Sequence, residues 1–196
     1  MKSLLSVCFF LAVPALLAAA PLPSEQQAFW DRLQTLCGQA FPGQVSDVTD
    51  YYHDALVGRE LIAHGVSCDE KSMHIALHVD ADRSRNWMLT IVDGTIRLKH
   101  DHRHPDGREE STSQYGGDAP VPGLPARQIF PADAHTAEIL PRRADNFWFM
   151  DFVDDRRFQY GVHWPRYGHS VRLEFDLSSP IAPPPLPWGF EGPDRD

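Results

Sequence analysis

The chain has 196 residues, a formal net charge of −9 at pH 7 and hydrophobic residues at 42% of its positions. This length corresponds to one ordinary domain with enough apolar residues for a buried core. The acidic balance, without any lysine- or arginine-rich run, argues against binding to nucleic acid or anionic lipid, because their phosphates require a basic surface.

Residues 1–20 have the pattern of a cleavable export signal. Lys2 provides a positive start, the segment from Leu4 to Leu17 is largely apolar, and small residues at 18–20 suit a cleavage site. The apolar segment is too short for a transmembrane span, which needs about 20 residues. We therefore expect an exported protein, periplasmic or secreted, with no transmembrane span.

Cys37 and Cys68 are the two cysteines that follow the signal. In an oxidising compartment two thiols of one small domain commonly pair, so we interpret them as a structural disulfide. Closing a loop of about thirty residues stabilises a fold by roughly 3–4 kcal/mol in the chain-entropy model. A redox or metal-binding pair is the alternative, and no Cys-x-x-Cys spacing supports it.

One helix is predicted near the start of the mature chain, after Pro23. Phe29, Leu33 and Leu36 recur at helical spacing and form one apolar stripe, and Gly38 marks the end of the helix. An amphipathic helix of this kind must pack its apolar stripe against another part of the fold.

From about residue 59 onward the hydrophobic pattern changes to period two, which is typical of β-strands. In the segment 73–79 the odd-numbered residues are apolar and share one face. His74 and His78 are therefore expected on the opposite, solvent-exposed face.

Asp93-Gly94 is a strong signal for a β-hairpin with a two-residue turn. Such a turn pairs Leu89 with Leu98 and Trp87 with His100. All apolar members of both strands then lie on one face, so the hydrophobic pattern and the turn agree on the strand register.

A second hairpin is predicted between the segments 146–153 and 158–164, across the polar residues 154–157. We expect Phe147 and Phe149 to share a face with the aromatic residues of the second strand. The reverse face is also apolar, so the hairpin is expected to be buried on both sides. Aromatic rings at this density either fill a core or line a cavity mouth for an apolar ligand.

These elements predict a mainly β protein, an antiparallel meander curled toward a barrel or half-barrel, with one N-terminal helix. A β-sandwich is the alternative fold. The single domain is expected to span 21–179 and to be followed by a proline-rich tail at 180–196. Such a tail is extended or disordered, although Trp188 and Phe190 can dock onto the domain.

The segment that follows the first hairpin turn carries three histidines two residues apart. Because side chains alternate across a strand, His100, His102 and His104 should share one face with Ile96 and Leu98. An apolar face that becomes imidazole-rich at one end is either a polar rim held by structural hydrogen bonds or a small functional site.

A metal centre is one interpretation of this segment. If the chain folds back through a three-residue turn at 105–107, then His100, His102 and Glu110 converge as ligands that suit zinc or iron. A loop one residue longer would break this arrangement. The site would belong to a metal-dependent hydrolase or oxygenase, in which the metal activates water or polarises a substrate oxygen.

A metal-free ligand site is the other functional interpretation. In it His100, His102, Arg103, His104 and Tyr115 bind a small molecule, and the arginine and histidines hold an anionic group. The sequence carries no nucleophile elbow and no glycine-rich phosphate loop, so it leaves open whether the protein is an enzyme. We predict a small-ligand-binding or envelope-associated module, with the metal-dependent enzyme as the alternative. The sequence does not specify the oligomeric state.

Three segments together resemble a group of exported bacterial proteins. They are Leu-Lys-His-Asp-His-Arg-His-Pro-Asp-Gly at 98–107, Gln-Tyr-Gly-Gly at 114–117 and Arg-Gln-Ile-Phe-Pro-Ala-Asp at 127–133. No activity is known for that group, so the resemblance implies an exported, domain-sized protein and no catalytic role. Lipocalin-like proteins share the predicted architecture, but their Gly-x-Trp signature near the first strand is missing here.

Overall fold

The computed structural model describes residues 20–190 and forms one antiparallel sheet of 10 strands, curled into a nearly closed barrel. The predicted mainly β fold is therefore confirmed. The predicted export signal, apart from residue 20, and the tail end at 191–196 lie outside the described residues. No helix among residues 20–190 is long and apolar enough to cross a membrane.

Strands and helices follow one another in a simple meander with short helical inserts. Two 3₁₀ turns lie in the connections before the eighth strand, at Pro141–Arg143, and before the tenth strand, at Pro165–Tyr167. The main elements are α1 (Ser24–Gln34), β1 (Ala40–Val48), α2 (Asp50–Leu56), β2 (Leu61–Cys68), β3 (Ser72–Val79), β4 (Asp82–Val92), β5 (Thr95–His102), β6 (Tyr115–Asp118), β7 (Arg127–Pro131), α3 (Ala134–Ile139), β8 (Phe147–Phe152), β9 (Arg157–Trp164) and β10 (His169–Asp176).

Consecutive strands pair with each other from β1 to β6 and from β7 to β10, and β10 also pairs with β1. This order leaves β6 and β7 as the two edge strands, at the two ends of the sheet. These two ends meet without a strand ladder, along a line that we call the seam. The Asp133 amide donates to the Gly116 carbonyl at 2.9 Å, and the Thr136 hydroxyl lies 2.8 Å from the Gly116 amide. A side chain at Gly117 would collide with the Pro131 carbonyl oxygen, so the seam requires glycine there.

The first hairpin has the predicted register, with Leu89 opposite Leu98 and Trp87 opposite His100. Asp93 and Gly94 both adopt left-handed backbone conformations, with φ of 51° and 76°. A two-residue turn of this kind matches the twist of the flanking strands. The turn therefore directs the inner face of β5 into the barrel.

Helix α1 closes one end of the barrel. Phe29 and Leu33 are fully buried there, as the predicted apolar stripe requires. The Gln26 side chain accepts a hydrogen bond from the Ile96 amide at 3.2 Å and donates one to the Val121 carbonyl at 3.1 Å. These bonds fix the helix across the opening beside the β4–β5 turn.

The cysteine pair joins the end of α1 to β2. Cys37 and Cys68 lie at bonding distance, with Cα atoms 6.0 Å apart, and are thus placed to form the predicted disulfide. Next to it, the Gly38 amide donates to the Gly65 carbonyl at 2.8 Å. A side chain at Gly65 would collide with the Leu36 carbonyl, so only glycine allows this close approach.

The expected facing of the second hairpin is wrong. Trp148 lies opposite Val162 and is buried inside the barrel, whereas Phe149 lies on the outer side opposite Gly161. The cause is the turn between the two strands. Arg157 already belongs to β9, and its carbonyl accepts from the Val153 amide at 3.0 Å, so only residues 154–156 form the turn. A turn one residue shorter than expected reverses the face of every side chain in one strand.

The expectation that His74 and His78 face solvent is also wrong, because both are buried on the outer face of the barrel. The proline-rich tail covers His74, since the Phe190 ring centre lies 4.3 Å from that of His74. The Trp188 amide donates to the Arg83 carbonyl at 3.2 Å and holds the tail against the barrel. The expected docking of the two tail aromatics is observed.

Candidate ligand-binding site

The barrel end opposite α1 contains a cavity of about 290 Å³. Inner faces of the strands form its walls, and α2 with the turn at 141–143 forms its rim. Ligand pockets in proteins usually span about 300–1,000 Å³, so this cavity suits a compact molecule. Its aromatic lining consists of Tyr52, Trp87, Tyr115, Trp148, Tyr160 and Trp164.

His100 lies on the cavity wall with both ring nitrogens occupied. Its Nδ1 lies 3.1 Å from the Tyr115 carbonyl oxygen and its Nε2 lies 2.7 Å from the Tyr160 hydroxyl. Burial lowers the pKa of His100 to about 3, so the ring is neutral at pH 7. A carbonyl oxygen only accepts, which means that Nδ1 carries the proton and the Tyr160 hydroxyl donates to Nε2.

His102 lies on the same inner face, closer to the mouth. Its Nε2 is 3.0 Å from the Tyr115 hydroxyl. Burial, and after it the positive charge of Arg85, lowers the pKa of His102 to about 4. Burial also raises the pKa of Tyr115 to about 12, so both partners are neutral at pH 7.

Two stacked ring pairs lie in the cavity wall. The rings of His100 and Tyr115 stack at 4.4 Å with an interplanar angle of 9°, and Trp87 stacks on Tyr160 at 4.1 Å. Stacking and hydrogen bonds hold the same side chains, which restricts their rotamers. The cavity is therefore preformed, and a planar molecule could pack against its wall.

Two arginines lie at the cavity mouth. Arg85 pairs with Asp82, three residues earlier on β4. The Arg143 guanidinium lies 5.9 Å from the ring centre of Tyr115 and makes no salt bridge with the described side chains at 20–49 and 51–190. Its positive charge helps to lower the pKa of both His100 and His102.

The predicted ligand set is brought together only in part. His100, His102 and Tyr115 line the cavity, but Arg103 and His104 do not. Arg103 lies on the outer face, where its Nη2 donates to the Asp101 carboxylate at 2.9 Å. Because side chains alternate along the chain, Arg103 points to the opposite face from His102. The strand itself ends at His102, so His104 lies beyond it and is exposed.

The predicted metal ligands are not assembled into a centre. The three-residue turn forms, and the Glu110 amide donates to the His102 carbonyl at 2.8 Å. The following residues bulge, so that Tyr115 and not Thr112 lies opposite His100. Among the described side chains at 20–49 and 51–190, no group of three or more His, Cys, Asp or Glu is arranged to hold a metal ion. Both nitrogens of His100 are already bonded.

Several cavity residues were not singled out from the sequence. Arg85 could have been found, since it alternates with Trp87 and Leu89 on the inner face of β4. Trp148 and Tyr160 lie in the aromatic hairpin, for which a cavity mouth was one expectation. Arg143 carries no such signal, because it lies in an irregular turn without periodicity.

The fold and the site together define a β-barrel protein with one closed end and an aromatic cavity at the other. No protein-family model, curated protein or solved structure matches the chain. Its function is therefore inferred from the chemistry of its own residues.

Proposed function

We propose that this is an exported protein that binds a compact, mainly aromatic small molecule in the cavity of the barrel. The observation that carries the proposal is the preformed aromatic wall, in which His100 and its partners are neutral and mutually hydrogen-bonded. Burying an apolar ring there costs little desolvation of polar groups, and hydrophobic contact and stacking supply the binding free energy.

Export is part of the proposal and is supported by two observations. Residues 1–20 have the composition of a signal, and Cys37 and Cys68 are placed to form a disulfide. Disulfides persist mainly in oxidising compartments outside the cytosol. The metal-dependent enzyme is not favoured, because His100, His102 and Glu110 do not form a ligand set.

The rim helix α2 offers a direct test. Ala55 lies on the cavity rim, so Ala55→Phe should place a ring in the mouth, whereas the exposed His53 on the same helix lies outside the lining. We expect 2-naphthalenemethanol, a neutral planar probe, to bind the mature protein with 1:1 stoichiometry in calorimetric titration.

Ala55→Phe should weaken this binding at least about tenfold, equal to about 1.4 kcal/mol, because the probe and the new ring compete for the mouth. His53→Phe should leave the affinity within about twofold of the parent. Absence of saturable binding of both 2-naphthalenemethanol and its carboxylate analogue 2-naphthoate to the parent protein would contradict the proposal. Equal affinity of the alcohol for both variants would contradict it as well.

A further inference from the structure

We infer that the ligand of this cavity is a planar aromatic carboxylate, and that Arg143 binds its carboxylate at the cavity mouth. The inference rests on the proposed binding function and adds the chemical class of the ligand. It also assigns a residue that determines specificity.

The cavity mouth carries positively charged side chains, although the whole protein has a negative net charge. The chain carries a formal charge of −9, yet two arginines, Arg85 and Arg143, line the cavity. Asp82 offsets the first of them through an ion pair. Besides burial, the negative charge of Glu110 raises the pKa of Tyr115, but the positive charges of Arg143 and Arg85 lower it more strongly than Glu110 raises it. A positive potential therefore remains on the Arg143 side.

Arg143 is positioned by its turn, and no side chain described at 20–49 and 51–190 forms a salt bridge with it. Its amide donates to the Leu140 carbonyl at 2.7 Å, and its carbonyl accepts from the Asn146 amide at 3.1 Å. The side chain is half-buried, and its guanidinium lies 5.9 Å from the ring centre of Tyr115. Partly buried guanidinium groups gain most from a carboxylate, which can accept two parallel hydrogen bonds.

The adjacent Arg142 lies outside the cavity lining and therefore supplies a control for Arg143. Arg142 is exposed, and its Nε donates to the Tyr167 hydroxyl at 3.1 Å. It lines a surface depression with Tyr51 and His169 but does not line the barrel cavity itself. The depression adjoins the cavity, because Tyr52, Arg143 and Trp164 line both. The two side chains carry the same charge one residue apart, so substituting each of them separates contact from general electrostatic attraction.

The body of the ligand is inferred from the walls below Arg143. Trp148 and Tyr115 are flat groups whose ring centres lie 5.5 Å apart, and Tyr160 continues this surface inward. Offset or edge contacts with such rings favour a planar aromatic molecule. A volume of about 290 Å³ suits one or two fused rings.

The experiment compares two probes that differ only in charge, 2-naphthoate and 2-naphthalenemethanol, by calorimetric titration of the mature protein. The parent should bind the carboxylate at least about tenfold more tightly than the alcohol. Arg143→Gln should abolish this preference by weakening the binding of the carboxylate at least about tenfold. Arg142→Gln should keep the preference, and Arg143→Lys should retain part of it because the charge remains.

Circular dichroism and thermal melting establish that each variant is folded. Equal affinity of the parent for both probes would overturn the inference while leaving the proposed binding function standing. The same would hold if Arg142→Gln reduced the preference as much as Arg143→Gln, since attraction would then be non-specific. Failure of both probes to bind the parent would overturn the proposed function itself.

Discussion

The Tyr160 hydroxyl donates to the Nε2 atom of His100 at 2.7 Å, although the two residues are 60 positions apart in the chain. The bond crosses the barrel interior from β9 to β5, two strands that are not neighbours in the sheet. It therefore fixes the cavity wall independently of the strand ladder.

Removing this hydroxyl should destabilise the protein. In Tyr160→Phe the buried Nε2 of His100 loses its donor, which costs about 1–3 kcal/mol for an unsatisfied buried group. Urea unfolding followed by tryptophan fluorescence measures this change in the free energy of unfolding. Tyr167→Phe is the control, because that hydroxyl is on the surface and should not affect stability. An unchanged midpoint in Tyr160→Phe would refute the bond's structural role.

Acid should destabilise the protein progressively from about pH 6.5 down to about pH 3. Burial lowers the pKa of His78 to about 4 and that of His100 to about 3. Both values lie below that of an unfolded histidine, so the unfolded chain binds more protons in this range. The stabilisation is complete above the unfolded pKa and is lost as the pH falls. Each group should contribute about 1–2 kcal/mol to the difference between pH 7 and pH 5.

Substitution of one of these histidines tests that assignment. His78→Gln should reduce the loss of unfolding free energy between pH 7 and pH 5, because one depressed titration is removed. The exposed His104→Gln serves as the control. If His78→Gln and the parent lose equal stability on acidification, His78 is not one of the groups responsible.

Loss of the cysteine pair should lower stability by about 3 kcal/mol, since the loop it closes spans 31 residues. Cys37→Ala with Cys68→Ala should reduce the melting temperature by several degrees and keep the barrel folded, as seen by circular dichroism. Reduction of the parent protein should give the same shift. An oxidised and a reduced protein with identical melting temperatures would show that the thiols are unpaired.

Gly161 should be replaceable only together with Phe149. A Cβ atom at 161 would collide with the Phe149 ring, so Gly161→Ala should cost about 1–3 kcal/mol of unfolding free energy. Adding Phe149→Ala removes the ring and should recover most of that loss. A double-mutant cycle without coupling would show that the ring moves aside at no cost.

The inward direction of His100 and His102 was predictable, because strand alternation and the Asp93-Gly94 turn are both local properties of the chain. The same alternation argues against Arg103 as a partner of these residues. The burial of His74 could not be derived locally, since a distant tail provides its cover.

The role of Arg143 could not be derived from the sequence either. It depends on where a connection between α3 and β8 crosses the barrel mouth, which no hydrophobic period encodes. The facing of Phe149 depended on the length of one turn, and a difference of one residue reversed it.

At the seam between β6 and β7 no strand ladder closes the barrel wall. Tyr115 stands at the start of β6, and the neighbouring Gly116 amide donates to the Thr136 hydroxyl across the seam, so one aromatic side chain of the cavity lies beside this seam. Backbone amides there should exchange with deuterium faster than those of β3 or β4, and an occupied cavity should slow them.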